Sequence, residues 1–236
     1  MNFKIFSALI FLFLCFKIQA FEEDFVLRGG FSIVEGRNNA LEDEDAEGEK
    51  EDEDSEDEFI GFGVNSTFGY RWKFWEFQFA SHIFFGKIDD FFFETSNTRV
   101  QGSGRFRHVS FSPQFRYNLQ KPIYKKWVPY VFLGPVWSLQ TINLDKYSIA
   151  NGSFRGDDKF NTLSRGAMIA VGVEEKLPYK QMHSTYLEVL FSYQEAYKTA
   201  LIDASDNKDV ELIESSNPLQ EIRGTFVMFN MGIIVF

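Results

Sequence analysis

Cysteine is almost absent from this 236-residue chain: the single one, Cys15, lies near the N-terminus. With one thiol no intrachain disulfide can form, and no Cys-x-x-Cys pair exists to ligate zinc or run redox chemistry. Long apolar runs are also missing. No stretch reaches the ~18 consecutive apolar residues that a membrane-spanning helix needs. Only 3 His are present, and His82, His108 and His183 stand far apart in sequence, so no metal-ligand spacing appears. Glycine-rich phosphate loops and basic clusters of the kind that grip nucleic acid are lacking too, and no nucleic-acid partner and no cofactor are expected.

What is abundant is aromatic. There are 29 Phe, and Phe, Trp and Tyr together make 18% of the chain. Acidity is concentrated rather than general. The formal charge is −10, yet the segment from Glu42 to Glu58 alone holds 13 acidic residues against one Lys. Setting aside that block and the two N-terminal lysines, Lys4 and Lys17, leaves a body of no net formal charge. A block of like charges repels itself, so an acidic, disordered loop is expected at about 37–58. Within it Asp43-Glu-Asp45-Ala-Glu47-Gly48, with Asp54 at the twelfth place, echoes a calcium loop without its closing Glu;. Diffuse attraction of divalent cations is the expectation there.

Residues 1–20 carry Lys4, an apolar stretch from about Ile5 to Phe16, and a small residue at Ala20. That is the pattern of a cleaved secretory signal peptide, with residues 21–236 as the mature domain.

Past that segment the period is two. Ile60, Phe62, Val64, Phe68, Tyr70 and Trp72 alternate with Gly61, Gly63, Asn65, Thr67, Gly69 and Arg71. The same alternation runs from Trp75 to Gly86, from His108 to Tyr117, from Gly166 to Glu174 and from Leu187 to Gln194;. Phe25–Val34, Val128–Gln140 and Arg223–Phe236 complete a set of eight strands, and no helical period of comparable length appears. A lipocalin-like barrel and a β-sandwich share such a pattern. Three features favour a membrane barrel. The polar face is rich in small residues that suit a narrow lumen. The strands are long. Connections alternate between long (about 37–58, 88–104, 141–162, 199–222) and short (Lys73-Phe74, around Lys121-Pro122, around Pro178). The expected fold is all-β: an eight-stranded, antiparallel, up-and-down transmembrane β-barrel.

These segments, the stretch Pro129-Tyr-Val-Phe-Leu-Gly134 and the terminal Phe236 resemble the small bacterial outer-membrane β-barrels, the OmpA-, OmpX- and OmpW-like proteins. The resemblance implies an outer-membrane location, contact with outer-membrane lipid and lipopolysaccharide, recognition by the barrel assembly machinery, and a monomer. It also implies that Ile234 and Phe236 serve as the assembly signal, facing lipid. On the inward assignment, Arg28, Arg71, Glu76, Arg116, Glu174, Lys176 and Glu188 face the lumen. Charges in a packed interior must pair, and Glu76 and Glu174 are expected to pair with Arg28 and Arg116. His108-Val-Ser110 resembles the His-x-Ser of barrel-type lipid A deacylases, with Phe111 where those enzymes carry Asn. Two polar lumen residues are the simpler reading. The expected function is structural or surface-interacting, without enzymatic activity. A narrow conduit for small apolar molecules is the alternative, followed by a lipid A-modifying enzyme.

Overall fold

The computed structural model describes residues 25–38, 58–94, 99–119, 123, 126–149, 159–175, 183–202, 209–211 and 223–235. Residues 1–20 and most of the acidic segment lie outside this set, as do the expected turns at Lys121-Pro122 and Pro178. The strands are β1 (Phe25–Asn38), β2 (Glu58–Trp72), β3 (Trp75–Glu94), β4 (Arg99–Asn118), β5 (Trp127–Ile149), β6 (Lys159–Glu175), β7 (His183–Ile202), β8 (Asp209–Glu211) and β9 (Arg223–Val235). All pairings are antiparallel. Each strand pairs with its sequence neighbour from β1 to β7, β9 pairs with both β7 and β1, and no edge remains in the ring. Eight strands thus close the barrel, and the three-residue β8 is appended to the far end of β7. Closure removes the unpaired backbone groups that hydrocarbon does not tolerate.

Burial alternates residue by residue. On β3, Trp75, Phe77, Phe79 and Phe85 are exposed while Glu76, Gln78, Ala80, His82 and Phe84 are buried. The outer wall is a continuous apolar band: Phe31 is 71% exposed, Phe62 64% and Leu133 60%. At the short-turn end the band finishes in Tyr70, Trp72, Trp75, Tyr117 and Trp127, with Trp75 packed on Phe115 and Tyr117 at 4.8 and 4.6 Å. An amphipathic aromatic girdle of this kind marks a membrane interface.

The strands run further than alternation suggests. Most of 88–104 is strand rather than loop, as are 141–149, 159–162 and 199–202. Two causes hide these extensions. Register shifts between Ile88 and Phe91, at Ser103/Gly104 and at Leu163/Ser164 reset the parity;. Above the band, moreover, the outward face becomes polar, as at Lys87 and Arg105, while the inward face stays apolar at Ile88 and Phe106. The hydrophobic contrast that reveals a strand inverts there.

Two local features shape the wall. At the β1–β9 seam, Gly30 pairs with Gly232. A Cβ on Gly30 would lie 2.2 Å from the Met231 carbonyl oxygen, and one on Gly232 2.2 Å from that of Gly29, with the Tyr186 ring lying over both. At the β4–β5 seam, Pro113 and Pro135 fall in a break in the ladder between the Phe111–Trp137 and Phe115–Leu133 pairs. Neither has an N–H to donate. Ser112 Oγ donates instead to the Pro135 carbonyl at 2.6 Å.

Candidate functional site

The interior is layered. Nearest the short turns lies a charged layer. Arg71 and Glu76 are cross-strand partners on β2 and β3, and Glu76 is in turn opposite Arg116 on β4. Arg28 reaches in from β1 and Glu174 from β6. Arg28 donates to both Glu76 oxygens, Nη2 to Oε2 at 2.9 Å and Nη1 to Oε1, and Nη1 also reaches Gln78 Oε1 at 3.0 Å. Its Nη2 extends to Glu174 Oε2 at 3.3 Å. Arg71 Nε donates to Glu76 Oε2 at 2.9 Å, and its Nη2 to Glu174 Oε2 at 3.0 Å. Arg116 donates through Nη2 to Glu174 and through Nε to Asn118 Oδ1 at 2.8 Å. Three guanidinium groups therefore share two carboxylates. Arg116 is wholly buried, and its guanidinium lies 3.4 Å from the centre of the Tyr130 ring. That is a desolvated cation–π contact, and Arg is suited to it by its planar, weakly hydrated head.

Glu188 lies inside as well but not among the arginines. It accepts from Tyr130 Oη at 2.9 Å and from Asn230 Nδ2 at 2.8 Å. Tyr186 donates to Asn65, whose amide donates to Ser32 Oγ at 2.9 Å. Lys176 lies outside the described residues. Period two reveals Asn65 and Gln78, which share parity with Arg71 and Glu76. It does not reveal Tyr130, which sits in the part of β5 where both faces are apolar.

The closing strand requires a correction. Ile234 does not face lipid; it is fully buried and packs with Val26 and Tyr186. Phe229, Met231 and Ile233 face outward instead, and Asn230 points inward to Glu188. The reason is register. β9 pairs with β1, placing Ile234 opposite inward-facing Arg28 and Ile233 opposite Gly29. Because a side chain's face is set by pairing, the whole parity of β9 follows from β1. Phe236 lies outside the described residues.

Toward the long-loop end the interior becomes aromatic, unlike the small, polar lining expected throughout. Phe59, Phe84, Phe106 and Phe226 meet at centroid distances of 4.3 Å (Phe59–Phe106), 5.9 Å (Phe59–Phe226) and 6.0 Å (Phe84–Phe226), with Val34, Ile88, Ile142 and Phe160 in the same buried cluster. His108 stacks on Phe84 at 4.2 Å. Neither His108 nitrogen nor Ser110 Oγ has a hydrogen-bond partner among the described residues. The imidazole and hydroxyl are thus not hydrogen-bonded to each other, as nucleophile activation would require.

Between the two layers Gln78 donates to Gln114, and Gln114 Nε2 to Met168 Sδ at 3.0 Å. The space left among Arg28, Gln78, His82, Tyr186 and Glu188 totals about 250 Å³, divided so finely that no water-sized sphere fits. Among the described residues no group of three or more His, Cys, Asp and Glu side chains is placed to hold a metal ion.

No family model and no curated protein matches the chain. Solved structures do. The outer membrane protein OprG from Pseudomonas aeruginosa superposes with a TM-score of 0.50 at 13% identity, over 90% of this chain and 94% of that one. Neisserial surface protein A gives 0.45 at 15% identity, over 89% and 96%. Ail of Yersinia pestis gives 0.38 at 12% identity, over 90% and 99%. With its closed ring, apolar outer band and side-chain-filled interior, the chain has the fold of the small eight-stranded outer-membrane β-barrels.

Proposed function

We propose that this protein resides in the outer membrane as a monomeric barrel of structural or surface-interaction type, with neither pore nor enzymatic activity. The observation that carries the reading is the interior. An ion-paired layer stands at one end and an aromatic cluster at the other, and the space lined by Arg28, Gln78, His82, Tyr186 and Glu188 between them admits no water-sized sphere. The charged layer is a structural network: it fills the barrel and pins the register of β1, β2, β3, β4 and β6 to one another. The rim that carries the acidic segment faces outward, and the opposite rim, with the Lys73-Phe74 turn, faces the periplasm. The acidic segment is then the distinctive outer surface, gathering divalent cations without a dedicated site.

Planar-bilayer recording tests the lumen: the purified protein should give no discrete conductance steps, and steady single-channel currents would overturn the reading. Deleting residues 42–58 tests the surface role. Loss of cation-dependent cell binding is expected, and unchanged binding would remove the reason to single out that segment.

A second reading, a conduit for small apolar molecules, has one observation in its favour. An apolar hollow of about 570 Å³ opens on the lipid-facing wall at Gly134, Pro135, Gly166 and Ala167, flanked by Phe191 and Tyr193. Faster uptake of a radiolabelled apolar solute by cells that make the protein, lost on Ala167→Phe, would favour this reading over the first.

A further inference from the structure

The lipid-facing wall is not evenly filled. Cross-strand partners share a face, so the outward residues fall into rows that run across several strands. One row over β5, β6, β7 and β9 reads Leu133, Ile169, Phe191 and Val227. The next row toward the acidic segment's rim reads Pro135, Ala167, Tyr193 and Thr225. Above it stand Trp137, Arg165 and Glu195. Pro135 and Ala167 are small where the rows on either side are large, and the wall dips there. The dip is the hollow of about 570 Å³, floored by Pro135 and Ala167 and walled by Leu133, Ile169, Phe191 and Tyr193. That volume is in the ~300–1,000 Å³ range of small-molecule sites. Its upper lip is polar. Arg165 is opposite Glu195, which accepts from Tyr193 Oη at 3.0 Å, and the guanidinium lies 5.9 Å from the Tyr197 ring. The lip's charges are thus met within the protein. Exposed Trp137 beside them marks the level of the membrane interface;.

We propose that this hollow binds one acyl chain of an outer-leaflet glycolipid of the lipid A type. The proposal rests on the outer-membrane location and outward orientation given above. Along β6, Ala167 is far closer to Arg165 at the lip than to Glu175 at the short-turn rim, which puts the hollow in the outer half of the band. Whatever fills it must come from the hydrocarbon that covers the wall, which excludes a water-borne ligand. An empty dip forfeits dispersion contacts on one side, and a flexible alkyl chain can follow its irregular floor. Inside a membrane that close packing, rather than release from water, is the driving force. The hollow lies directly beneath a polar lip, so one molecule with an apolar chain and a polar head satisfies both levels at once. A small apolar solute satisfies only the lower one. Because the lip carries one cation and one anion side by side, it does not select the headgroup by charge. Selection lies in the shape of the hollow.

The test uses the full mature barrel refolded in neutral detergent, its fold verified by heat-modifiable gel mobility. It is incubated with equal amounts of a lipid A-type glycolipid and phosphatidylethanolamine, washed with detergent and weighed by native mass spectrometry. The wild type should retain one glycolipid per barrel. Ala167→Phe and the milder Ala167→Leu fill the hollow and should retain it roughly tenfold less, since the gain is a sum of individually weak dispersion contacts. Val64→Phe enlarges an exposed position of the wall on β2, away from the hollow, and should retain it as the wild type does. No retained lipid in the wild type, or undiminished retention in both Ala167 variants, overturns the site. Retention of phosphatidylethanolamine in preference overturns the glycolipid assignment. Orientation is read separately, by labelling Gly48→Cys with a membrane-impermeant maleimide. Labelling in intact cells upholds the outward orientation, so a lipid failure then counts against the hollow alone. Labelling only after lysis overturns the orientation and the outer-leaflet assignment with it.

Discussion

Glu76 and Glu174 carry more than their share of the interior charge, because each is hydrogen-bonded to Arg28 and to Arg71 and Glu174 also to Arg116. Removing one carboxylate leaves buried guanidinium groups without a counter-charge, a loss of ~3–5 kcal/mol in buried ion pairs generally. Glu76→Ala should therefore lower unfolding stability in urea by about that amount. Glu188→Gln keeps an acceptor for Tyr130, so its loss should be near ~1 kcal/mol, the scale of one ordinary hydrogen bond. Equal losses for the two variants would show that the arginine layer has no special role. Arg116→Ala should be as damaging as Glu76→Ala, since it removes both the Glu174 pair and the Tyr130 cation–π contact. These charged positions were legible in the sequence because their parity was. Tyr130 and Asn230, the partners of Glu188, were not: Tyr130 stands where both faces of β5 are apolar, and the face of Asn230 depends on which residue of β1 lies opposite.

At the scale of elements, the β1–β9 seam decides whether a sheet becomes a barrel. The backbone approach at Gly30 and Gly232 leaves no room for a side chain, and the Tyr186 ring occupies the space above. Gly232→Val should block closure, so that the protein runs at its unfolded mobility on a gel without heating. Migration as a compact band would show that the seam can yield. The β4–β5 seam is the weaker place, because Pro113 and Pro135 contribute no ladder donors. The two-residue turn at Lys73-Phe74, short enough to be read directly, contains the one positive φ among described non-glycine residues, 57° at Lys73. Strand ends were the least legible part. Bulges reset the parity, and the rule of apolar outward and polar inward reverses once the strands leave the hydrocarbon.

For the whole molecule, the proposed non-conducting role implies that closure against ions is redundant. The aromatic plug and the charged layer are separate barriers in series, so removing either alone should leave the barrel non-conducting. Phe84→Ala or Arg116→Ala singly should show no channel activity in planar bilayers, whereas the double variant should show discrete steps. Conductance in either single variant would mean that one layer alone seals the lumen. Each large-to-small change also costs stability, ~3–5 kcal/mol for a buried Phe. Recordings are therefore informative only on protein that retains heat-modifiable migration.

The sequence alone determined the class of this protein. A two-residue period with one aromatic face and no comparable helical period admit few structures, because hydrocarbon accepts only closed backbone hydrogen bonding and strands display alternate faces. Tertiary structure alone decided which residues meet. The gathering of Arg28, Arg71, Arg116, Glu76 and Glu174 around one point, the aromatic plug above them and the inward turn of Ile234 all depend on register between strands as far apart in sequence as β1 and β9. Register is a property of pairs of strands, fixed by the seam, the bulges and the packing of the lumen. No single strand's pattern contains it.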